Sequence, residues 1–191
     1  TSDFRQAAEL YRRVAGLSVP LDRALPLRFA AGAYERAGDT AAALAIYEDL
    51  LSIPNQKSIE VAVAKNNAAM CLLRLNRGTA DLERAADLIS DAIRESKDPA
   101  FYDTKGWVEL ESRRPDSAAA AFRTAIQLRA APQVPLASSV IGLATALAGG
   151  TPGERQEAAA LLASLPAEAA LSKPDRERLK QLRGVLEPGG G

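Results

Sequence analysis

Histidine is absent from this chain of 191 residues, cysteine, methionine and tryptophan occur once each, and aromatic residues make up only 5%. Without histidine there is no His-based triad, no imidazole general base and no histidine metal ligand. A lone Cys71 forms no internal disulfide and no zinc–thiolate cluster. Neither charge sign is in excess, since 24 basic residues balance 24 acidic ones. That balance argues against a nucleic-acid or anionic-membrane binder, which is normally basic. The longest apolar run falls far short of the roughly 20 residues that cross a bilayer, so direct membrane insertion is not expected. No secretory leader precedes the helical pattern that begins at Thr1; the start reads as a cut from a longer protein, and Gly189–Gly191 as a flexible tail. Phosphate-loop, nucleophile-elbow, zincin and dinucleotide-binding motifs are all missing. No catalytic residue, metal or cofactor is therefore expected.

What the chain does have is alanine and leucine, 39 and 25 residues respectively, a third of the total. Both are strong helix formers. β-Branched residues are few and no stretch alternates with period two, so about ten helices and no strands are predicted. A recurring pattern organises them: a small residue, a large one four later, an apolar one three after that. Ala7, Tyr11 and Val14 fit it, as do Ala43, Tyr47 and Leu50. Ala85, Ile89 and Ala92 follow, then Ala118, Phe122 and Ala125, then Ala158 and Leu162. Residues three and four apart share a helical face, so each set predicts one buried stripe. Successive large residues lie 36, 42, 33 and 40 residues apart. A further helix precedes each of the last four stripes, over Leu25–Ala37, Ile59–Leu75, Pro99–Ser112 and Pro135–Ala148. The punctuation agrees. Gly38-Asp39-Thr40 ends one helix and caps the next, Thr151-Pro152-Gly153-Glu154 reads as a capping box, and Ser172 opens a last helix that Pro188 stops.

The segment from Leu27 to Pro54 resembles a tetratricopeptide repeat, through Leu27, Ala30, Ala31, Tyr34, Gly38, Ala43, Tyr47, Leu50 and Pro54. The stretch Tyr102–Ile126 is similar, in the D-T-x-G-W-V form found in bacterial members, and Lys65–Ile93 resembles a third repeat with about five extra residues. Glu109 departs from the pattern by standing where the family has a large apolar residue. The resemblance implies an all-α, right-handed superhelix of antiparallel helix pairs, an α-solenoid with a C-terminal capping helix. The chain then reads as a single array over 1–188. Residues 1–17 are the second helix of a truncated repeat, followed by repeats at 21–55, 57–97 (with an insertion) and 98–131. A degenerate repeat at 134–165, a capping helix at 172–187 and a tail at 188–191 complete it. The extra residues near Gly78 and Gly149–Gly153 predict longer loops between helices.

In the family, the first helix of each pair lines a concave groove that docks peptides or helices, so a protein or peptide partner is implied. Threading the helical period onto those helices gives the groove candidates: Arg28, Gly32 and Glu35; Lys65, Asn66, Ala69 and Leu72; Asp103, Trp107 and Glu111; Ser139 and Leu143. Trp107 reads either as a groove anchor or as packing between helix pairs. Asn66 resembles the asparagine of the family's carboxylate clamp. However, the places that would supply the clamp's cations hold Ala100 and Thr104, so the expected role is a hydrogen bond to backbone. Cys71, on an apolar face, reads as a buried thiol, and Arg113-Arg114 as a solvated turn. The expected function is a protein-interaction scaffold, part of a larger bacterial protein of the cytoplasm or the cell envelope. The alternative is a self-associating array whose exposed first edge stacks on another copy. Helical-repeat RNA binding is disfavoured by the zero net charge and by Glu35, Asp103 and Glu111 among the candidates.

Overall fold

The computed structural model describes residues 2–19, 22–129 and 137–186. Among these residues lie ten α-helices and no strand. They gather into two compact units, Thr1–Lys97 and Asp98–Gly191. The expected break between 131 and 134, the helix start at Pro135, the boundary at 21 and the tail at 188–191 fall outside the described residues.

The first unit holds α1 (Ser2–Leu17), α2 (Ala24–Ala37), α3 (Thr40–Leu51), α4 (Ser58–Leu75) and α5 (Thr79–Glu95). Each packs against the next along the chain, as short helix–helix connections require. The stops follow from the sequence. Gly38 takes the left-handed conformation, φ 79°, that ends α2. Asp39 then accepts the backbone N–H of Ala42 at 3.2 Å and caps α3. Ala43, Tyr47 and Leu50 are buried together with Leu27, Ala30, Ala31 and Tyr34, and Ala85, Ile89 and Ala92 are buried in α5.

Two expectations fail in this unit. The stripe Ala7, Tyr11, Val14 is not the buried face of α1; Ala8 and Ala15 are, while Tyr11 and Val14 are exposed. The stripe is buried in α3 because helices pack on both its flanks, whereas α1 has α2 alone as its packing partner among the described helices. Nor do the extra residues near Gly78 make a long loop. Only Asn76–Gly78 separate α4 from α5, because Asn76 itself adopts the left-handed conformation, φ 43°. The additional residues lengthen the helices instead, to 18 in α4 and 17 in α5.

The second unit holds α6 (Pro99–Glu111), α7 (Pro115–Leu128), α8 (Ala137–Leu147), α9 (Pro152–Ala163), a short 3-10 turn at Glu168–Ala170 and α10 (Lys173–Leu186). Proline occupies the first turn of α6, α7 and α9, where its missing N–H costs nothing. The capping box of α9 forms with both its bonds, Thr151 Oγ1 accepting Glu154 N–H and Glu154 accepting Thr151 N–H. The loop expected at Gly149–Gly153 is again short, since Gly153 is already inside α9.

Phe122 is the centre of this unit's core. Its ring is fully buried, and it fits because α6 and α8 each present a glycine to it. A Cβ on Gly106 would lie 2.5 Å from the ring and one on Gly142 only 2.3 Å from it. These glycines serve close packing of the ring. Trp107 meets Phe122 edge-on, with centroids 5.2 Å apart and an interplanar angle of 74°.

Candidate functional site

The sequence candidates divide between the two units, and most are engaged by neighbouring helices. In the second unit α6 turns Asp103 and Trp107 toward α8. Ser139 Oγ donates to Asp103 Oδ1 at 2.6 Å and Ser138 Oγ donates to Oδ2 at 3.0 Å. Trp107 Nε1–H in turn donates to Ser138 Oγ at 3.0 Å. A chain of hydrogen bonds thus runs from indole to hydroxyl to carboxylate, and the polar tip of the tryptophan is satisfied. Burial raises the Asp103 carboxyl above its ordinary range; the two serine hydroxyls and the charge of Arg178 pull the other way. Ser139, offered as a groove residue, is fully buried beneath Asp103. Leu143 is likewise core. Glu111, one turn past Trp107, is exposed and stands apart from this cluster.

The other face of Trp107 is covered. The guanidinium of Arg178, in α10, stacks on the indole with its carbon 3.7 Å from the ring centroid. Asp175, one turn earlier, lies 3.9 Å from Arg178. Of the leucines spaced three and four apart along α10, Leu179 and Leu182 are buried and Leu186 is half-buried, and α10 packs against α8. The last helix therefore covers α8 and reaches Trp107 of α6, two helices that stand first in their pairs.

In the first unit Glu35 accepts the hydroxyl of Tyr47 at 3.1 Å and pairs with Arg74 at 3.3 Å. Asn67 donates to the same Tyr47 oxygen at 3.1 Å. Burial, with Glu35 nearby, pushes the Tyr47 phenol well above its usual range. Burial also lifts the Cys71 thiol to about 12, in line with a closed, inert cysteine. Arg28 of α2 pairs with Glu60 of α4 at 3.4 Å, and Lys65 pairs with Asp91 of α5 at 3.0 Å. Ala69 and Leu72 are core rather than groove. Asn66 does not bond to backbone as expected: its Nδ2 donates to Asn67 Oδ1 at 3.2 Å, and its buried Oδ1 has no partner. Gly32 has open space above it, apart from the tip of Arg36.

Sequence reasoning did not single out Ser138, Arg178 or the exposed apolar residues of the first helices. Leu25 and Phe29 on α2, and Ile59 and Val63 on α4, are 41–52% exposed. Neither α3 nor α5, the second helices, exposes a large apolar residue. The signal was present, because Ile59 and Val63 sit four apart on the face opposite the Ala64–Ala68 core stripe. Elsewhere, Arg114 pairs with Glu109 at 2.5 Å, which explains how a carboxylate is tolerated at the position where the resemblance implies an apolar residue. Arg123 grips Glu157 at 3.0 Å through both carboxylate oxygens. No group of acidic or cysteine side chains able to hold a metal is found among the described residues, and no described helix is long and apolar enough to cross a membrane.

Comparison with solved structures gives the fold. BtubC (BKLC) from P. vanneervenii matches with a TM-score of 0.68 at 22% identity, over 98% of this chain and 77% of that one. TTC0263, a thermophilic TPR protein in Thermus thermophilus, matches at 0.63 and 21% identity, over 96% of this chain and 90% of that one. No protein-family model and no curated protein matches the sequence. The chain has the all-α helical-repeat fold of tetratricopeptide repeat proteins.

Proposed function

We propose that this chain is a protein-docking scaffold, not an enzyme, which takes a helix or peptide of a partner protein on the faces of its first helices. The observation that carries the reading is the exposure of Leu25, Ile59 and Val63 on α2 and α4, beside Phe29, which is half-exposed with its ring stacked on Tyr11 of α1. Apolar side chains cluster on an exposed face where a partner covers them. The Arg28–Glu60 pair bridges the two helices and supplies a polar rim to that strip, with Lys65 and Asn66 one to two turns further along α4. Glu35 extends the polar lining within the first unit; in the second unit Asp103 and Trp107 underlie the corresponding face beneath α10, with Ser139 buried below them and Glu111 exposed further along α6. The D-T-x-G-W-V stretch and the two bacterial structural neighbours support a bacterial source. Nucleic acid is disfavoured as a partner by the zero net charge.

The test is affinity capture from extract with the chain and with its Ile59→Lys, Val63→Lys variant. Both positions are exposed, and lysine is a better helix former than valine or isoleucine, so the fold is expected to survive. A partner captured by the parent and absent from the variant supports the reading; the same partner kept by both sinks it. Self-association is a second reading, favoured by Tyr11, Val14 and Leu17 of α1, all exposed, with Leu17 at 90%. Light scattering across concentration decides it, because a monomer throughout removes it.

A further inference from the structure

In the second unit the first-helix face is already occupied, and the occupant specifies what such a face binds. α10 seats Leu179 and Leu182, 2% and 4% exposed, and places Arg178 on Trp107. This is one face of one helix: an arginine followed directly by a leucine, then a second leucine three residues on. Among the residues of α10, five are basic and two acidic. α10 packs on α8, which carries no charged side chain, and the positive charge of Arg178 acts on the Asp103 carboxyl of α6, so at this point the charges are complementary. Two further ties of α10 are local. Arg176 donates to Leu171 O at 2.6 Å, and Arg183 pairs with Glu168 at 3.1 Å. Those contacts move with α10 and its entry turn, and they do not hold it to α6 or α8. Leu179 and Leu182, with the guanidinium of Arg178 over Trp107 and its charge acting on Asp103, anchor α10 on this face, the kind of anchor that a short amphipathic helix brings.

We infer that the α6–α8 face around Trp107 is a receptor for basic amphipathic helices of the pattern Arg-Leu-x-x-Leu, and that α10 occupies it in cis and competes with such a helix from a partner protein. This rests on the reading of first-helix faces as docking surfaces and names the partner class for one of them. Binding of a partner helix requires α10 to leave, so its apparent affinity is reduced by the fraction of chain with the face open. The leucine spacing sets the register, and the arginine selects for a cation over Trp107.

The test uses the full chain and its single tryptophan. Protection of Trp107 from acrylamide quenching reports an occupied face. In the parent chain Trp107 is protected. In the Leu179→Asp, Leu182→Asp variant α10 undocks and Trp107 becomes quenchable, while helical circular dichroism is kept. A synthetic peptide of residues 171–186 then restores protection saturably, whereas the same peptide with Arg178→Ala and Leu182→Ala does not. The parent takes the peptide at least about tenfold more weakly than the variant, because the tethered helix competes at high effective concentration. Three results would overturn the inference: a folded variant that the peptide fails to protect, equal binding to parent and variant, or loss of the helical signal in the variant. The last would make α10 an integral part of the unit's core. None of these bears on capture through Ile59 and Val63, so the wider docking proposal stands or falls separately.

Discussion

Replacing Gly142 by alanine tests the packing that positions Trp107. In an exposed helix interior this change stabilises by up to about 1 kcal/mol, through lower backbone entropy in the unfolded chain and better helix propensity. At Gly142 the new methyl would sit 2.3–2.7 Å from three atoms of the Phe122 ring, where carbon atoms need about 3.5–4.0 Å. The ring has nowhere to go. It is fully buried, Gly106 closes it from α6 with a would-be Cβ at 2.5 Å, and Trp107 abuts it. Relief demands that α8 separate from the ring by more than an ångström or that Phe122 leave its rotamer. Overpacking of this kind costs about 1–3 kcal/mol. A rigid ring between two helices belongs near the top of that range, so the net loss after the propensity gain is about 2 kcal/mol.

Urea unfolding followed by Trp107 emission measures it. With an m-value of about 2 kcal/mol/M, the midpoint falls by about 1 M. Gly32→Ala is the matched control, since its Cβ meets only Arg36 Nη1 at an ordinary 3.7 Å; because Gly32 lies in the first unit it is followed by helical circular dichroism, and it should raise stability by about 0.5–1 kcal/mol. Phe122→Leu removes the atoms that clash. It destabilises alone, but combined with Gly142→Ala the loss should fall short of the sum of the two by at least about 1 kcal/mol. If Gly142→Ala and Gly32→Ala shift stability in the same direction by similar amounts, the account of Phe122 is wrong.

Asp103→Asn should flatten the pH dependence of stability. A carboxyl whose folded pKa is raised contributes stability below its ordinary value of 3.8, and that contribution is lost as pH climbs through the raised value. Asparagine keeps the shape and can still accept from one serine while donating to the other. The variant should therefore gain on the parent from about pH 4 upward, and parallel pH profiles from chemical denaturation would contradict this. Cys71, fully buried with its thiol raised to about 12, should react with a thiol reagent at mildly alkaline pH at least about a thousandfold more slowly than a free cysteine. Labelling at a free-thiol rate in the native protein would refute its burial.

The helices and their ends were legible because local chemistry writes them. Gly38, Asp39, Pro99, Pro115 and the Thr151–Glu154 box act within one turn of their own position. Misreadings arose where the outcome depends on a neighbour. The Ala7-Tyr11-Val14 stripe has the same spacing as Ala43-Tyr47-Leu50, yet a stripe is buried only if something lies over it. The extra residues near Gly78 could lengthen a loop or a helix, and the left-handed turn at Asn76 settled the matter within three residues. The apolar stripe of the last helix was readable, but its destination was not, because nothing in its spacing says that Arg178 will lie on Trp107.

The candidate site was misread for a more specific reason. Asn66, Asp103 and Ser139 each stand three residues before a small residue, namely Ala69, Gly106 and Gly142, and all three are buried polar side chains. Arg28 stands in the same relation to Ala31. The small residue lets a neighbouring element come close, so the polar group one turn earlier is within reach of an adjacent helix. Arg28 reaches Glu60 of α4, and Asp103 reaches Ser138 and Ser139 of α8. A buried polar group is normally partnered, and for Asp103 the neighbouring helix is the supplier. At Arg28 and Asp103 the polarity that made this register look like a ligand-binding row joins one first helix to another; Asn66 makes no such link, since its amide donates to Asn67 within α4 and its Oδ1 has no partner. In the docking proposal the partner meets the residues beside it: Val63, three before Asn66, and Trp107, four after Asp103. Val63 is open to solvent, and Trp107 is closed by the chain's own arginine.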